Sequence, residues 1–282
     1  MHCKSKTCVR CWFRALFSHG VCLTVSFLCL FPLLWALSSS LKTQETIFRD
    51  FSFVPVHPQW HNYIAAWTQG HFGLYLMNSL FYTVCVVTGV VLFCSLASYA
   101  FSRLEFPGKN ILFFILIAQM MIPVPGAVVA LYVLLVKAHL IDTRIGYILP
   151  QINGGLALGI FMLKTFFDKL PRDLEDAAKI DGCNKLQVYF YVVLPLARPA
   201  LAVLIVFNAL AVWNEYILAN LLFSNKALMP LQRGLLVFQG AYITQYPFLM
   251  AGIVITILPI VLLYLLMQRY IISGITAGAL KS

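Results

Sequence analysis

Five of the ten carboxylates in this 282-residue chain fall within fourteen positions, as Asp168, Asp173, Glu175, Asp176 and Asp181. Pro171 suits a first helical turn, the acids at 173, 175 and 176 favour a positive helix N-terminus, and Lys179 favours the opposite end. Gly182 can take a left-handed stop, so the stretch predicts a two-turn helix closed by a glycine. Its apolar residues Leu174, Ala177 and Ala178 recur at i, i+3 and i+4 and form a narrow, small-sided face. Such a face suits close approach to another protein, and the chemistry expected here is docking. A second set of polar groups lies inside apolar stretches: Gln119, Gln151, Asn153, Asn208 and Glu215. Glu215 is the only carboxylate within an expected span, and burying it in hydrocarbon costs roughly 2.5 kcal/mol or more, so it should face the bundle or water. Asn208 lies two helical turns before Glu215 on the same face, and the two read equally as a polar lining for a hydroxylated solute or as a helix-to-helix hydrogen bond or outer-interface position near Trp213 and Tyr216; Gln119, Gln151 and Asn153 are secondary candidates for the lining. His2, Cys3, Cys8 and Cys11 share a short stretch, but the Cys-x4-Cys-x2-Cys spacing lacks a second half and reads as a reduced tail, not a metal site. No Gly-x4-Gly-Lys-[Ser/Thr] occurs, since Gly108-Lys109 is followed by Asn110 and has no glycine five residues upstream; the chain has no P-loop of its own. A membrane enzyme would need a His/Asp, Ser/His or metal-ligand cluster, and none is evident.

Positioning these groups falls to membrane helices. Hydrophobic residues make up 61% of the chain and charged ones 11%, with a mean hydropathy of +0.86, against roughly 25% charged residues in soluble domains. A span needs about 20 apolar residues, so the length allows six helices and modest loops but no large soluble domain. The net charge of +10 belongs to residues flanking apolar runs, which excludes a basic stripe for nucleic acid and points to orientation in a membrane.

In chain order, residues 1–20 form a basic tail and 21–38 a first, uncleaved helix, because no cleavage site is clear before Ser38-Ser39-Ser40. Residues 39–77, with Pro55, Pro58, Trp60, Tyr63, Trp67 and Tyr75, suggest an amphipathic layer in the outer interface. A core of five further spans then runs over 78–268. Its spans are 78–101, 110–136 broken at Pro123-Val-Pro125-Gly126, 145–163 with Gly155-x3-Gly159, 196–223 and 247–268, and its polar loop is 168–195. Breaks at membrane depth are tolerated only where protein or water satisfies the freed backbone, so 123–126 should face inward. Residues 269–282 end the chain as a tail. With the amino terminus inside, 14 of the 20 Lys and Arg residues lie on that side and six on the other. The positive-inside rule therefore puts both termini and the 168–195 loop in the cytoplasm.

The loop resembles the cytoplasmic signature of ABC importer membrane subunits: Glu-Ala-Ala, three residues, Gly, nine residues, Ile-x-Leu-Pro. Here it reads Asp176-Ala177-Ala178, Gly182, then Val192-Val193-Leu194-Pro195 with every spacing kept; Asp replaces Glu and Val replaces Ile. Asn78-Ser-Leu, Tyr99-Ala-Phe-Ser-Arg-Leu-Glu-Phe-Pro-Gly108, Ile122-Pro, Trp213-Asn-Glu-Tyr and Gly274-Ile-Thr-Ala-Gly278 resemble the carbohydrate-uptake branch, which is maltose and glycerol-phosphate permease-like. The resemblance covers residues from about 40 onward and omits the cysteine-bearing amino terminus. It implies an all-α type I importer permease of six transmembrane helices in a bacterial inner membrane, passing a sugar or sugar-like solute such as an oligosaccharide, polyol or glycerol phosphate ester. Implied partners are a second homologous permease, an ABC ATPase dimer that uses ATP and Mg, and an extracytoplasmic solute-binding protein, with lipid around them. This chain would bind no cofactor. The implied ATPase-coupling residues are Leu174, Asp176, Ala177, Ala178, Asp181, Gly182, Leu194 and Pro195. The rival reading, an ion-gradient-driven secondary transporter, would use the broken span and Glu215 but leaves the loop idle and lacks a visible inverted repeat.

Overall fold

The computed structural model describes residues 5–121, 124–240 and 244–279. Thirteen helices follow one another among them: α1 Ser5–Ser40, α2 His61–Gln69, α3 Phe72–Arg103, α4 Lys109–Ala118, α5 Val124–Lys137, α6 Arg144–Asp168, α7 Asp173–Ile180, α8 Lys185–Val188, α9 Leu194–Leu196, α10 Arg198–Trp213, α11 Ile217–Leu222, α12 Leu231–Gly234 and α13 Tyr246–Ala279. Four are long and apolar enough to cross a membrane: α1 over Ala15–Ser40, α3, α6, and α13 over Tyr246–Gln268. Two bent pairs bring the number to six, one meeting at 108° (Lys109–Met121 with Gly126–Lys137) and one at 76° (Lys185–Leu196 with Arg198–Trp213). The chain divides into one unit built on residues 1–70 with 235–257 and another on 71–234 with 258–282.

In the first unit, α1 departs from the expected tail-then-helix division by beginning at Ser5. Nothing from Ser5 to His19 breaks a helix, and basic residues are good helix formers. Of the amino-terminal thiols, Cys3 lies outside the described residues, as does His2, and only the backbone is described at Cys8 and Cys11. The segment after α1 is folded back and hydrogen-bonded, more ordered than a surface layer. Lys42 is buried, with Nζ donating to the carbonyls of Asp50 (2.5 Å) and Ser52 (2.8 Å). Asn62 Nδ2 donates to the carbonyls of Ser40 (2.8 Å) and Lys42 (2.9 Å), tying α2 to the end of α1. Those bonds satisfy a buried cation and buried carbonyls, which would otherwise be costly.

The second unit is organised on α3. Tyr82, Val86, Val90, Cys94 and Ser98 recur every fourth residue and are all buried. Against this stripe stands α6, whose glycines allow backbone contact. A Cβ on Gly159 would lie 2.6 Å from Cys94 Sγ and 2.9 Å from Leu204 Cδ1, and one on Gly155 would meet Asn208 Oδ1 and, at 2.8 Å, Val90 Cγ2. Small residues at this spacing are how membrane helices approach without a hydrophobic driving force. Ser98 Oγ donates to the Ile160 carbonyl across the same seam (3.0 Å).

Several expected boundaries move. The helix α3 starts at Phe72, six residues before Asn78, with Gly73 inside its first turn and Phe72 and Tyr75 buried. After α4 the chain takes a 3-10 turn at Gln119–Met121, ahead of the break expected at 123–126, and α5 begins at Val124 with Pro125 and Gly126 inside it; Ile122 and Pro123 lie outside the described residues. α13 continues to Ala279, so 269–279 is helix and not tail. The expected span 196–223 is not one helix: α10 stops at Trp213 and α11 begins at Ile217. Polar side chains cause the stop, with Asn214 Nδ2 donating to the Leu210 carbonyl (2.9 Å) and the Glu215 carboxylate accepting from the backbone of Leu218 (2.6 Å) and Ala219 (3.2 Å). Local side-chain bonds of this kind compete with the helix ladder. Glu215 therefore stands beyond the helix that carries Asn208, and the expected shared face is absent.

Candidate functional site

The acidic stretch forms α7, eight residues with Asp173, Glu175 and Asp176 in the first turn and Lys179 in the last. Pro171 precedes the helix instead of occupying its first turn, and Arg172 is the N-cap. At the other end Gly182 takes φ +87°. Its N–H donates to the Lys179 carbonyl (3.0 Å), and the N–H of Cys183 donates to the Ala178 carbonyl (3.0 Å). These two bonds are the Schellman stop, and they occupy carbonyls that a helix end leaves open. Asn184 and Gln187 then form a reciprocal capping box that starts α8, so the chain turns sharply between two short helices.

The surface of α7 divides cleanly. Leu174, Asp176, Ala177, Ile180, Asp181 and Gly182 are exposed, Ile180 at 87%, and Ala178 is half-buried. Asp176 is held below the usual carboxylate range by the hydrogen bond from Lys179 Nζ (2.7 Å), and the same bond holds Lys179 above its usual value. The one buried residue of the helix is a charged one, Glu175. It pairs with Arg103 at the end of α3, whose Nη2 also donates to the Leu170 carbonyl (3.0 Å). Beside it Ser102 Oγ donates to Asp168 Oδ1 (2.6 Å), whose Oδ2 accepts from Lys164 (2.7 Å).

Past α8 the chain makes one π-helical turn, Tyr189–Val193, leading into α9 with Leu194 and Pro195 half-buried. Tyr189 is buried, its OH 2.7 Å from Ser95 Oγ and its ring 5.3 Å from that of Tyr99, while Tyr99 OH donates to the Lys185 carbonyl (3.2 Å). The structure thus gathers Leu174, Asp176, Ala177, Ala178, Asp181 and Gly182 on α7 and its stop, with Leu194 and Pro195 across the loop beyond α8 and the π-turn.

The expected lining residues are dispersed over separate elements. Gln119 is half-buried in the turn after α4, and Asn153 is exposed on α6. Asn208 Nδ2 donates to the Leu204 carbonyl of its own helix (2.9 Å), and its Oδ1 faces Gly155. Glu215 also accepts from Tyr147 OH (3.2 Å), so both its oxygens serve the helices around it. A cleft of about 420 Å³ lies elsewhere, among Leu80, Val87, Leu210, Trp213, Pro259 and Leu263. None of the four lining candidates borders it, and its apolar wall offers a hydroxylated solute little to bond. Sequence reasoning missed the Arg103–Glu175 pair. Both residues were visible, one in the Tyr99–Gly108 stretch and one among the acids, but no periodicity links positions 72 apart.

The comparisons agree with this architecture. The family described as the binding-protein-dependent transport system inner membrane component matches residues 89–276. The diacetylchitobiose uptake system permease protein NgcG of Streptomyces coelicolor is 33% identical over 269 residues, covering 95% of this chain and 89% of that protein. The trehalose/maltose transport system permease protein MalG of Thermococcus litoralis is 33% identical over 261 residues, covering 91% and 93%. In fold the chain is similar to one in the crystal structure of a bacterial ABC transporter involved in the import of the acidic polysaccharide alginate, with a TM-score of 0.79, 24% identity, and 96% and 99% of the two chains covered. Four to six spanning helices, an acidic loop between α6 and α10 and these matches lead to one conclusion: the chain belongs to the binding-protein-dependent transport system inner membrane component family, as a multi-pass ABC importer permease of the type I fold and not as an enzyme.

Proposed function

We propose that this permease passes a sugar or sugar-like solute into the cytoplasm, paired with a second homologous permease, served by an extracytoplasmic solute-binding protein and driven by an ABC ATPase dimer that uses ATP and Mg. Relatives named for uptake of diacetylchitobiose, arabinooligosaccharides and trehalose or maltose support the solute class. The observation that carries the coupling reading is α7: a short helix with a firm stop, whose outer surface sets the small Ala177 and the half-buried Ala178 among the exposed Leu174, Asp176, Ile180 and Asp181. In this proposal α7 sits in a cleft of one ATPase subunit, Leu194 and Pro195 pass its motion to α10, and both termini are cytoplasmic with α7. Family membership displaces the ion-gradient alternative. For the solute path, the exposed amide of Asn153 and the half-buried Gln119 are the stronger candidates, and Asn208 and Glu215 contribute through the helices they brace.

The test is Ala178→Trp in the reconstituted complex. The variant should insert and assemble but lose most of the ATPase stimulation that loaded binding protein produces, because the indole blocks close approach. Full stimulation in an assembled variant would overturn the docking of α7.

A further inference from the structure

The sequence signature accounts for how a motor would grip α7, and leaves open how a two-turn helix on an exposed loop could push anything. Its covalent route toward α10 is poor, and the link back to α6 is the non-helical stretch 169–172. The stretch Lys185–Leu196 meets α10 at 76°, with a π-turn just before the corner, so thrust along the backbone would flex a joint.

A second route exists in side chains, and every residue that anchors it is on α3. Ser95, Tyr99, Ser102 and Arg103 fall at i, i+4, i+7 and i+8, one face of that helix. Ser95 and Tyr99 hold Tyr189 and the start of α8; Ser102 holds Asp168; Arg103 holds Glu175 and the Leu170 carbonyl. Of these, only Arg103 reaches α7 itself. The two side chains of that pair are 6% and 8% exposed. Buried ion pairs are poor sources of net stability and are better suited to fixing register, since losing one partner strands the other charge.

We propose that Arg103 is the positioning residue of coupling: its ion pair with Glu175 locks α7 to the foot of α3, so that movement of α7 becomes movement of the α3–α6 core. This rests on the reading of α7 as the docking helix. Without the pair, Glu175 has to leave its buried position for water, and α7 swings on the backbone while α3 stays still. ATP is then hydrolysed without import.

The experiment measures ATP consumed per solute imported in proteoliposomes holding the full importer, for Arg103→Ala, Glu175→Gln and the double variant. A coupling of sites of this kind is worth roughly fivefold or more, so each single variant should raise the ratio by about that factor. The double variant should raise it no further, because both singles break one interaction. Arg103→Lys keeps the charge but not the fork to Leu170, and should fall between wild type and Arg103→Ala. If Arg103→Ala does not assemble, Glu175→Gln and Arg103→Lys give the result. A wild-type ratio in an assembled Arg103→Ala or Glu175→Gln variant, or factors that multiply in the double, would overturn the proposal. Ala178→Trp separates the two ideas: if it loses stimulation by loaded binding protein while the Arg103 and Glu175 variants keep the wild-type ratio, only the latch fails; if it too keeps full stimulation, the docking reading fails with it.

Discussion

The stop at Gly182 offers a test in which backbone geometry can be separated from contact. A Cβ placed there meets nothing within 4 Å, yet φ is +87°, so any cost of substitution inside this chain comes from conformation alone. A left-handed residue with a Cβ costs about 1–2 kcal/mol, and β-branching adds to it. The alternative is to release the stop, losing the bonds from Gly182 to Lys179 and from Cys183 to Ala178, each worth about 0.5–1.5 kcal/mol net. Either way Gly182→Val penalises the end of α7 by about 1–3 kcal/mol. Isolated helices shorter than about 12 residues are marginal in water, so that penalty is enough to fray an eight-residue helix. Asparagine enters the left-handed region readily, so Gly182→Asn should keep the helix while still adding a side chain. ATPase activity stimulated by loaded binding protein should therefore fall roughly fivefold or more in Gly182→Val, since 1.4 kcal/mol is a factor of ten, and stay near wild type in Gly182→Asn. Full stimulation in the valine variant refutes the conformational argument. Equal losses in both variants would mean that Gly182 is needed for space against the partner and not for its φ.

Two further outcomes follow from neighbouring groups. Gly154 and Gly155 are adjacent on α6, but a Cβ at 154 meets nothing within 4 Å and one at 155 meets Asn208 and Val90; Gly154→Ala should therefore raise stability by about 0.5–1 kcal/mol and Gly155→Leu lower it by about 1–3 kcal/mol, read as opposite shifts of the melting temperature in detergent. On α7, the Asp176 carboxyl is depressed by its bond from Lys179 and Lys179 is raised by the same bond, so the pair's contribution is fully present between the ordinary carboxylate and lysine ranges. It is lost as pH falls through the depressed carboxyl value or rises through the elevated amine value; protection of α7 in hydrogen exchange should show the acid-side loss, and Asp176→Asn should remove it.

The parts of this molecule legible in its sequence are those set by local chemistry. The stop at Gly182, the acids at the start of α7 and the glycine seam of α6 were readable because each depends on residues within one or two turns. Misplaced boundaries share a different cause. Apolar runs such as 196–223 give no sign of where a helix stops when the stop depends on Asn214 and Glu215 folding their side chains onto nearby backbone. Conversely, the helices at Ser5, Phe72 and 269–279 extend beyond the expected spans because no proline interrupts them, and their scattered polar residues are compatible with a helix. Glu215 could be read from its isolation among apolar neighbours either as a solute contact or as a helix-to-helix hydrogen bond, and its oxygens accept from Tyr147, Leu218 and Ala219.

The distribution of charge gives a mechanical reason for the arrangement. A membrane core fastened by glycines and dispersion contacts is stiff only if its helices stay in register, and α3 supplies that register at both ends. In its amino-terminal half, Asn78 Nδ2 donates to the carbonyls of Ala227 (2.8 Å) and Met229 (3.1 Å), and Tyr82 OH to that of Leu228 (2.8 Å). At its foot the bonds run to the loop that bears α7. One helix therefore holds a loop at each of its ends, and its long middle is the stripe on which α6 is seated. A displacement of α7 that α3 followed would reach the Ala227–Met229 loop without bending any helix between them. Had the anchors been divided between α3 and α10, the 76° corner would have absorbed part of every stroke. That anchoring is why the strength of the Arg103–Glu175 contact matters less than its rigidity: the pair has to keep α7 at a fixed angle to α3, a task for which a guanidinium bonded at once to a buried carboxylate and to the Leu170 carbonyl is better suited than an apolar contact of equal area.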